Sequence, residues 1–175
     1  PQFAAANAVN WNGTAMTQLN VGASSNYWCS AFYLLDPEDG TFNVNVGWAV
    51  IEREACITIA TIENAGVPVY LGEDNNFTGN PSFSGNTTED DSLVLEFIMS
   101  QVTSHTYGAP QTEHSNFASN VGNYRHSVSS QDVPSAGAVT MGVTFGANKT
   151  YQMKVLQLSE RVSQDDSAFL NFLPN

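Results

Sequence analysis

Hydrophobic and polar positions alternate along much of this chain, most clearly between residues 27 and 63. Three runs there are rich in aromatic and β-branched residues: Y-W-C-S-A-F-Y-L-L, T-F-N-V-N-V-G-W and A-C-I-T-I-A-T-I-E. The segment D-P-E-D-G separates the first two runs, and its proline and glycine positions are typical of a type I turn followed by a left-handed residue. The two-residue period excludes a helix. We therefore predict a three-stranded antiparallel meander over residues 27–63.

A β-hairpin is predicted before the meander. Asn12-Gly13 separates two short alternating runs, and this dipeptide favours the two-residue turns that join antiparallel strands. The predicted hairpin joins residues 8–11 to residues 14–19. Residues 20–26 are predicted to form a loop.

Strands also recur after the meander, although residues 64–91 are polar and broken by glycine and proline. Long excursions of this kind often bind ligands or contact neighbouring subunits. Strands are predicted at 67–71, 82–87, 92–100, 101–106, 111–117, 124–130, 138–145 and 150–158. The last two alternate cleanly and are joined by the turn G-A-N-K, so we predict that they form a closing hairpin.

The predicted elements describe one all-β domain. A chain of 175 residues with 42% hydrophobic residues suits a single antiparallel β-sandwich. We predict a jelly-roll-like sandwich with long loops over residues 1–160. Residues 161–175 are predicted to be a C-terminal arm.

The C-terminal arm ends in a dense apolar cluster. Exposing such side chains to water forfeits about 1.5–3 kcal/mol for each. The arm is therefore predicted either to fold back on the domain or to contact a partner subunit. The residues concerned are Phe169, Leu170, Phe172 and Leu173.

Net charge narrows the range of partners. The chain carries 17 acidic and 5 basic residues, giving a formal net charge of -12. This excess repels nucleic-acid phosphates and anionic lipid surfaces, so nucleic-acid binding is not expected. There is also no run of 18 apolar residues, so no membrane span is predicted.

The two cysteines leave two interpretations open. Cys29 and Cys56 fall in the first and third strands of the predicted meander. A disulfide is geometrically possible if those strands are neighbours. A strand cysteine can equally be a small buried hydrophobic residue.

The sequence contains no recognisable catalytic or metal-binding motif. His105, His114 and His126 lack the spacing of zinc ligands and are predicted to be solvent-exposed. The acidic clusters do not match the calcium-binding loop of an EF-hand, and Glu52 and Glu54 fit an exposed turn better than a glycosidase pair. We predict a protein without catalytic residues, metal or cofactor.

Aromatic side chains keep a second function open. Trp11, Trp28 and Trp48, together with several tyrosines, could form a stacking platform for sugars. The same rings could instead fill the core of a sandwich. Carbohydrate binding therefore stands as the alternative to a purely structural role.

Several segments between residues 9 and 158 resemble a β-sandwich domain found in phage structural proteins and bacterial extracellular proteins. They are V-N-W-N-G-T-A-M-T-Q-L, Y-L-L-D-P-E-D-G-T-F-N-V-N-V, A-T-I-E-N-A-G-V-P-V, S-A-G-A-V-T-M-G-V-T-F and Y-Q-M-K-V-L-Q-L. The chain departs from that pattern at residues 63–67 and in the acidic stretch 74–91.

The resemblance implies a non-enzymatic role at a virion surface or outside the cell. A phage capsid decoration, head-fibre or tail-associated subunit is expected, acting by protein–protein assembly. Expected partners are other virion subunits and further copies of this chain. An extracellular carbohydrate-binding or adhesion module that contacts surface glycans is the alternative.

Overall fold

The computed structural model describes residues 6–23, 28–48, 59, 61–76, 78–101, 104–118, 124–147 and 149–160. These residues form antiparallel sheets and contain no helix, which confirms the prediction of an all-β fold. The strands are β1 (Ala6–Trp11), β2 (Thr14–Ala15), β3 (Thr17–Ala23), β4 (Trp28–Tyr33), β5 (Val44–Trp48), β6 (Val69–Asn76), β7 (Ser82–Asn86), β8 (Ser92–Ser100), β9 (His105–Tyr107), β10 (Thr112–Ala118), β11 (Arg125–Val133), β12 (Ala138–Phe145) and β13 (Tyr151–Leu158).

A five-stranded sheet in the order β10-β11-β8-β13-β6 forms the centre of the fold. Its middle strand β8 pairs with β11 from Ser92 to Ser100 and with β13 from Leu93 to Ser100. The near-continuous apolar sequence of β8 suits this position, because a strand covered on both faces has no wet side for polar residues. The predicted bounds of β8 are confirmed.

A smaller sheet, β7-β12-β9, packs against one face of the five-stranded sheet. Every second residue of β12 points into the interface, as the two-residue period of a strand requires. Burying such apolar side chains is the main favourable term in folding, at about 25 cal/mol per Å² removed from water. The core residues are Val94, Ile98, Val133, Val139, Met141, Val143, Phe145, Tyr151, Met153 and Val155.

The other face of the five-stranded sheet is covered as well, since all eight residues of β13 are buried. On this side β4 approaches β13 and β3 approaches β6. The N-terminal strands therefore form a further layer, in which β1 pairs with β2 and β5 while β3 pairs with β4.

The predicted closing hairpin is wrong. β12 pairs with β7 and β9, whereas β13 pairs with β8 and β6. The two strands face each other across the core, where Tyr151, Met153 and Val155 of β13 share one cluster with the apolar residues of β12. A short connection allows either arrangement, and the sequence pattern of the two strands is the same in both.

The predicted meander is also wrong. β4 pairs with β3 and β5 pairs with β1, so the two strands belong to different sheets. Residues 34–43 separate them, a connection too long to impose the register that a two-residue turn imposes. Of the predicted third strand, residues 59, 61 and 62 are not in a strand, and 56–58 and 60 lie outside the described residues.

The hairpin at Asn12-Gly13 is confirmed. Trp11 pairs with Thr14, and the turn residues Asn12 and Gly13 have φ values of 47° and 81°. The second predicted strand is divided at Met16 into β2 and β3, which join different sheets. Because β3 continues to Ala23, the loop predicted at 20–26 begins too early.

β6 extends to Asn76, well beyond the predicted end at residue 71. The polar, acidic sequence after residue 71 predicts a loop, but Glu73 and Asp74 pair with residues of β13. Beside β6, the ring of Phe83 occupies the space over Gly72 and Gly85. A Cβ atom at either glycine would lie 2.5 Å from that ring.

Two predicted features fall outside the described residues. The C-terminal arm, 161–175, is one of them, with its cluster of Phe169, Leu170, Phe172 and Leu173. Cys29 lies in β4 opposite Gly22, and Cys56 is outside the described residues, so the disulfide stays a prediction.

Candidate functional site

A buried network of hydroxyl groups surrounds His105 between the two packed sheets. The two ring nitrogens of His105 lie within hydrogen-bond distance of Ser100 Oγ, at 2.6 Å, and of Ser127 Oγ, at 2.5 Å. Tyr107 donates its hydroxyl to Ser127 Oγ at 2.6 Å. Burial, with a contribution from the charges of Arg125 and His126, lowers the pKa of His105 to about 4. The imidazole is therefore neutral near pH 7.

This network does not have the form of a nucleophilic site. Ser100, His105 and Ser127 are 0%, 5% and 2% exposed, so a substrate has no approach to either hydroxyl. A serine nucleophile needs an activating base and also access to the reacting carbonyl. The geometry instead satisfies polar groups inside the core, and burial also raises the pKa of Tyr107 above its ordinary value.

A buried carboxyl group lies next to this network. Glu96 on β8 is fully buried, and its carboxyl oxygens accept hydrogen bonds from Gln111 Nε2 at 3.3 Å and Ser129 Oγ at 3.5 Å. Burial raises the pKa of Glu96 to about 7, although both hydrogen bonds act in the opposite direction. Glu96 therefore changes charge near neutral pH.

Gln111 connects this carboxyl group to the surface. Its Nε2 also donates to Ser129 Oγ at 3.0 Å, and its Oε1 accepts the backbone N–H of Gly142 at 3.1 Å. On this side of β12, β9 pairs with residues 143–145. The Gln111 side chain thus takes the place of a strand at Gly142.

A shallow groove of about 440 Å³ lies over Gly142 on the outer side of the smaller sheet. Gly142 allows the close approach that shapes it, since a Cβ atom there would lie 2.8 Å from Pro81 O. The described residues that line the groove are uncharged and include no aromatic ring. They are Asn80, Pro81, Ser82, Thr106, Gly108, Ala109, Pro110, Gln111, Thr140, Met141, Gly142, Val143 and Thr144.

Around the groove, the outward positions of β7, β9 and β12 carry short hydroxyl side chains. We call this surface the hydroxyl face. It consists of Ser82, Ser84, Thr106, Thr140 and Thr144, all of which are exposed. Ser84 and Thr140 pair across the strands, with their hydroxyl oxygens 3.2 Å apart.

An ion pair lies on the opposite side of the five-stranded sheet. Lys154 Nζ is 2.7 Å from Glu73 Oε2 and lies 5.1 Å from the centre of the Tyr70 ring. The lysine side chain is 1% exposed and the glutamate side chain 33%. Partial burial alone would raise the pKa of Glu73, but hydrogen bonds from Lys154 and Tyr70 and the lysine charge lower it overall.

The histidine prediction is wrong for two of the three residues. His114 is exposed, whereas His105 and His126 are buried. His126 stacks on Phe117 with ring centres 5.4 Å apart, and burial lowers its pKa. The serines that surround His105 come from two other strands, so no local sequence signal marks this site.

The remaining sequence candidates do not converge in the described residues. Among these residues no group of three or more His, Cys, Asp or Glu side chains is arranged to hold a metal ion. Glu52 and Glu54 lie outside them. Within the same part of the chain, no helix is long and apolar enough to cross a membrane.

Comparisons with protein-family models, with curated proteins and with solved structures found no match to this chain.

Proposed function

We propose that this chain is a non-enzymatic structural subunit of a phage particle, a capsid decoration, head-fibre or tail-associated protein. It acts by protein–protein assembly, and the hydroxyl face is its contact with a second copy. The observation that carries the proposal is an uncharged, exposed sheet surface on a chain of net charge -12.

Charge decides which surface two copies can share. Bringing two carboxylates to about 4 Å costs about 1 kcal/mol even in water, and the cost is larger where water is excluded. The outward side chains of β7, β9 and β12 carry no charge, so two copies can meet there without this cost. By contrast, the described turn residues Glu89, Asp90 and Asp91 are exposed acids.

The interior supports a structural role in a second way. His105 and Glu96 have pKa values shifted by burial, as catalytic groups often have. Both are enclosed and hydrogen-bonded to neighbouring side chains rather than aimed at a cleft. Neither group is placed to act on a substrate.

Sedimentation velocity on the full chain tests the proposed contact. We expect oligomers whose fraction rises with protein concentration. Thr140→Glu places a carboxylate on the hydroxyl face of each copy and should lower the association constant at least tenfold. Thr112→Glu, at an exposed position of β10, is the matched control and should leave association unchanged.

The virion assignment needs a separate test. Particles from a lysate of the phage that encodes the chain are banded by density and analysed by mass spectrometry. The chain should band with the capsid proteins at a constant ratio. A chain found only in the unbanded fraction, or one that stays monomeric at all concentrations, contradicts the proposal.

The groove does not favour the carbohydrate alternative, because its described lining provides no aromatic ring on which a sugar could stack. Glycan-array binding by the full chain that is lost in Thr140→Glu would support that alternative and count against the assembly role.

A further inference from the structure

The link between Glu96 and the groove suggests that the protonation of a buried group controls a surface segment. The segment is residues 108–111, which connects β9 to β10 and forms one wall of the groove. Gln111 joins this segment to Glu96 and Ser129 on the inside and to Gly142 on β12. Any change that favours hydration of Glu96 therefore weakens the hydrogen bonds that hold the Gln111 side chain in place.

The surroundings of Glu96 provide little compensation for a negative charge. Ser129 of β11, Val155 of β13 and the buried residues of β12 do not titrate. The ionisable side chains that share this face are Tyr107 and His105 of β9, Glu113 of β10, Asp74 of β6, Arg125 of β11 and Tyr151 of β13.

The charges on these groups do not offset an ionised Glu96. His105 is neutral near pH 7 because burial lowers its pKa to about 4. Tyr107 and Tyr151 are neutral as well, because the ordinary pKa of a phenol already lies well above 7 and burial raises it further. Arg125 is four residues from Ser129 along β11, a separation of about 13 Å, and its guanidinium donates to Asn116. Glu113 and Asp74 are acidic, so neither provides a positive charge.

We propose that Glu96 is a protonation-dependent latch: the protonated side chain keeps Gln111 closed against Gly142, and the ionised side chain drives the 108–111 segment to open towards water. This inference is independent of what the hydroxyl face binds.

The opening must occur on the Gln111 side for a structural reason. Glu96 and Ser129 sit in adjacent strands of the continuous ladder formed by β11, β8 and β13, so exposing Glu96 on that side would break many backbone hydrogen bonds. Gln111 is half-buried and borders the groove. Moving it breaks only side-chain hydrogen bonds and admits water from the groove.

Hydrogen exchange on the full chain between pH 5 and 8.5 tests the latch, because adjacent amides provide an internal reference. Gly142 N–H is held by Gln111, whereas Val143 N–H is held by Pro81 O at 3.2 Å on the other edge of β12. After correction for intrinsic exchange, the opening constant at Gly142 should rise up to about tenfold per pH unit between pH 5 and 7. It should then level off, while Val143 should not share this dependence.

Substitutions separate the latch from general loosening. Glu96→Gln should abolish the pH dependence at Gly142, whereas Glu113→Gln should retain it. If Glu96→Gln does not fold, Gln111→Met provides the test, because it removes the acceptor of the Gly142 N–H. The Gly142 amide should then exchange rapidly at every pH. The proposal is overturned if Gly142 and Val143 of the unmodified chain keep a constant ratio of protection across the pH range, or if Gln111→Met keeps the pH dependence.

Discussion

β12 and β13 are both eight residues long, and apolar and small or polar side chains alternate along β12 and along β13 as far as Val155, yet only β12 shows alternation in its burial. In β12, Val139, Met141, Val143 and Phe145 face the core and the residues between them face outwards. In β13 every residue is buried, including Gln152, Lys154 and Gln157. An alternating sequence therefore specifies which residues share a face of a strand, while the surrounding layers determine whether the polar face meets water.

The largest expected difference concerns adjacent positions of β12. Met141→Glu places a carboxylate in the core without a partner and should cost more than about 4 kcal/mol, enough to unfold many domains. Thr140→Glu, one residue away on the outward face, should change the free energy of unfolding by less than about 0.5 kcal/mol. Urea unfolding followed by circular dichroism measures both. Equal effects would show that β12 is buried on both faces, like β13.

Glu96 brings a pH dependence to the sheet that contains β13. Burial raises the pKa of Glu96 to about 7 from the ordinary value of 4.5. The contribution of Glu96 to the free energy of unfolding is therefore greatest below about pH 4.5, where the group is protonated in both the folded and the unfolded state. Its contribution should fall as pH rises from about 4.5 to 7, by about 3 kcal/mol in total. Glu96→Gln should remove this slope from the pH profile of urea unfolding. An unchanged slope would place the titration at another group.

Two buried glutamines of β13 should respond in opposite directions. Gln157 accepts from Thr88 N at 3.1 Å and donates to Ser92 Oγ at 3.0 Å, so Gln157→Met should destabilise by about 2 kcal/mol. Gln152 has no hydrogen-bond partner for either amide atom among the described residues, and Gln152→Met should stabilise by about 1 kcal/mol. Thermal unfolding of the two variants side by side tests this. A loss of stability in both would mean that Gln152 is hydrogen-bonded.

The smallest expected effect concerns a turn specified by local sequence alone. The backbone of Gly13 has a φ of 81°, in the left-handed region, whereas the backbone of Gly108 lies outside that region. An added Cβ atom would meet nothing within 4 Å at either position, so the two glycines differ only in backbone conformation. Gly13→Ala should therefore cost about 1 kcal/mol through backbone strain. Gly108→Ala should be neutral or slightly stabilising. Similar effects at both positions would argue against the φ values as the cause.

Local signals in the sequence are sufficient to predict some elements of the fold correctly. The bounds of β8 and β12 and the turn at Asn12-Gly13 follow from periodicity and dipeptide preference, both of which act within a few residues. The pairing of β12 with β7 instead of β13 depends on contacts distant in the sequence. The extension of β6 through Glu73 depends on Lys154, which lies 81 residues away.

The candidate site could not be found from the sequence for a related reason. Ser100, His105 and Ser127 come from the end of β8, from β9 and from β11, so their spacing matches no motif. The burial of His105 follows from the packing of two sheets, which reverses its expected exposure. The role of Gln111 likewise depends on where β9 stops pairing with β12.

The placement of Phe83 over Gly72 and Gly85 has a consequence for how this chain can diverge. Neither glycine can acquire even a methyl group unless the ring gives way, and a shorter residue at position 83 would leave an empty space over both strands. The three positions should therefore change together in descendants of this sequence. A paired exchange such as Gly72→Ala with Phe83→Leu should be tolerated better than Gly72→Ala alone.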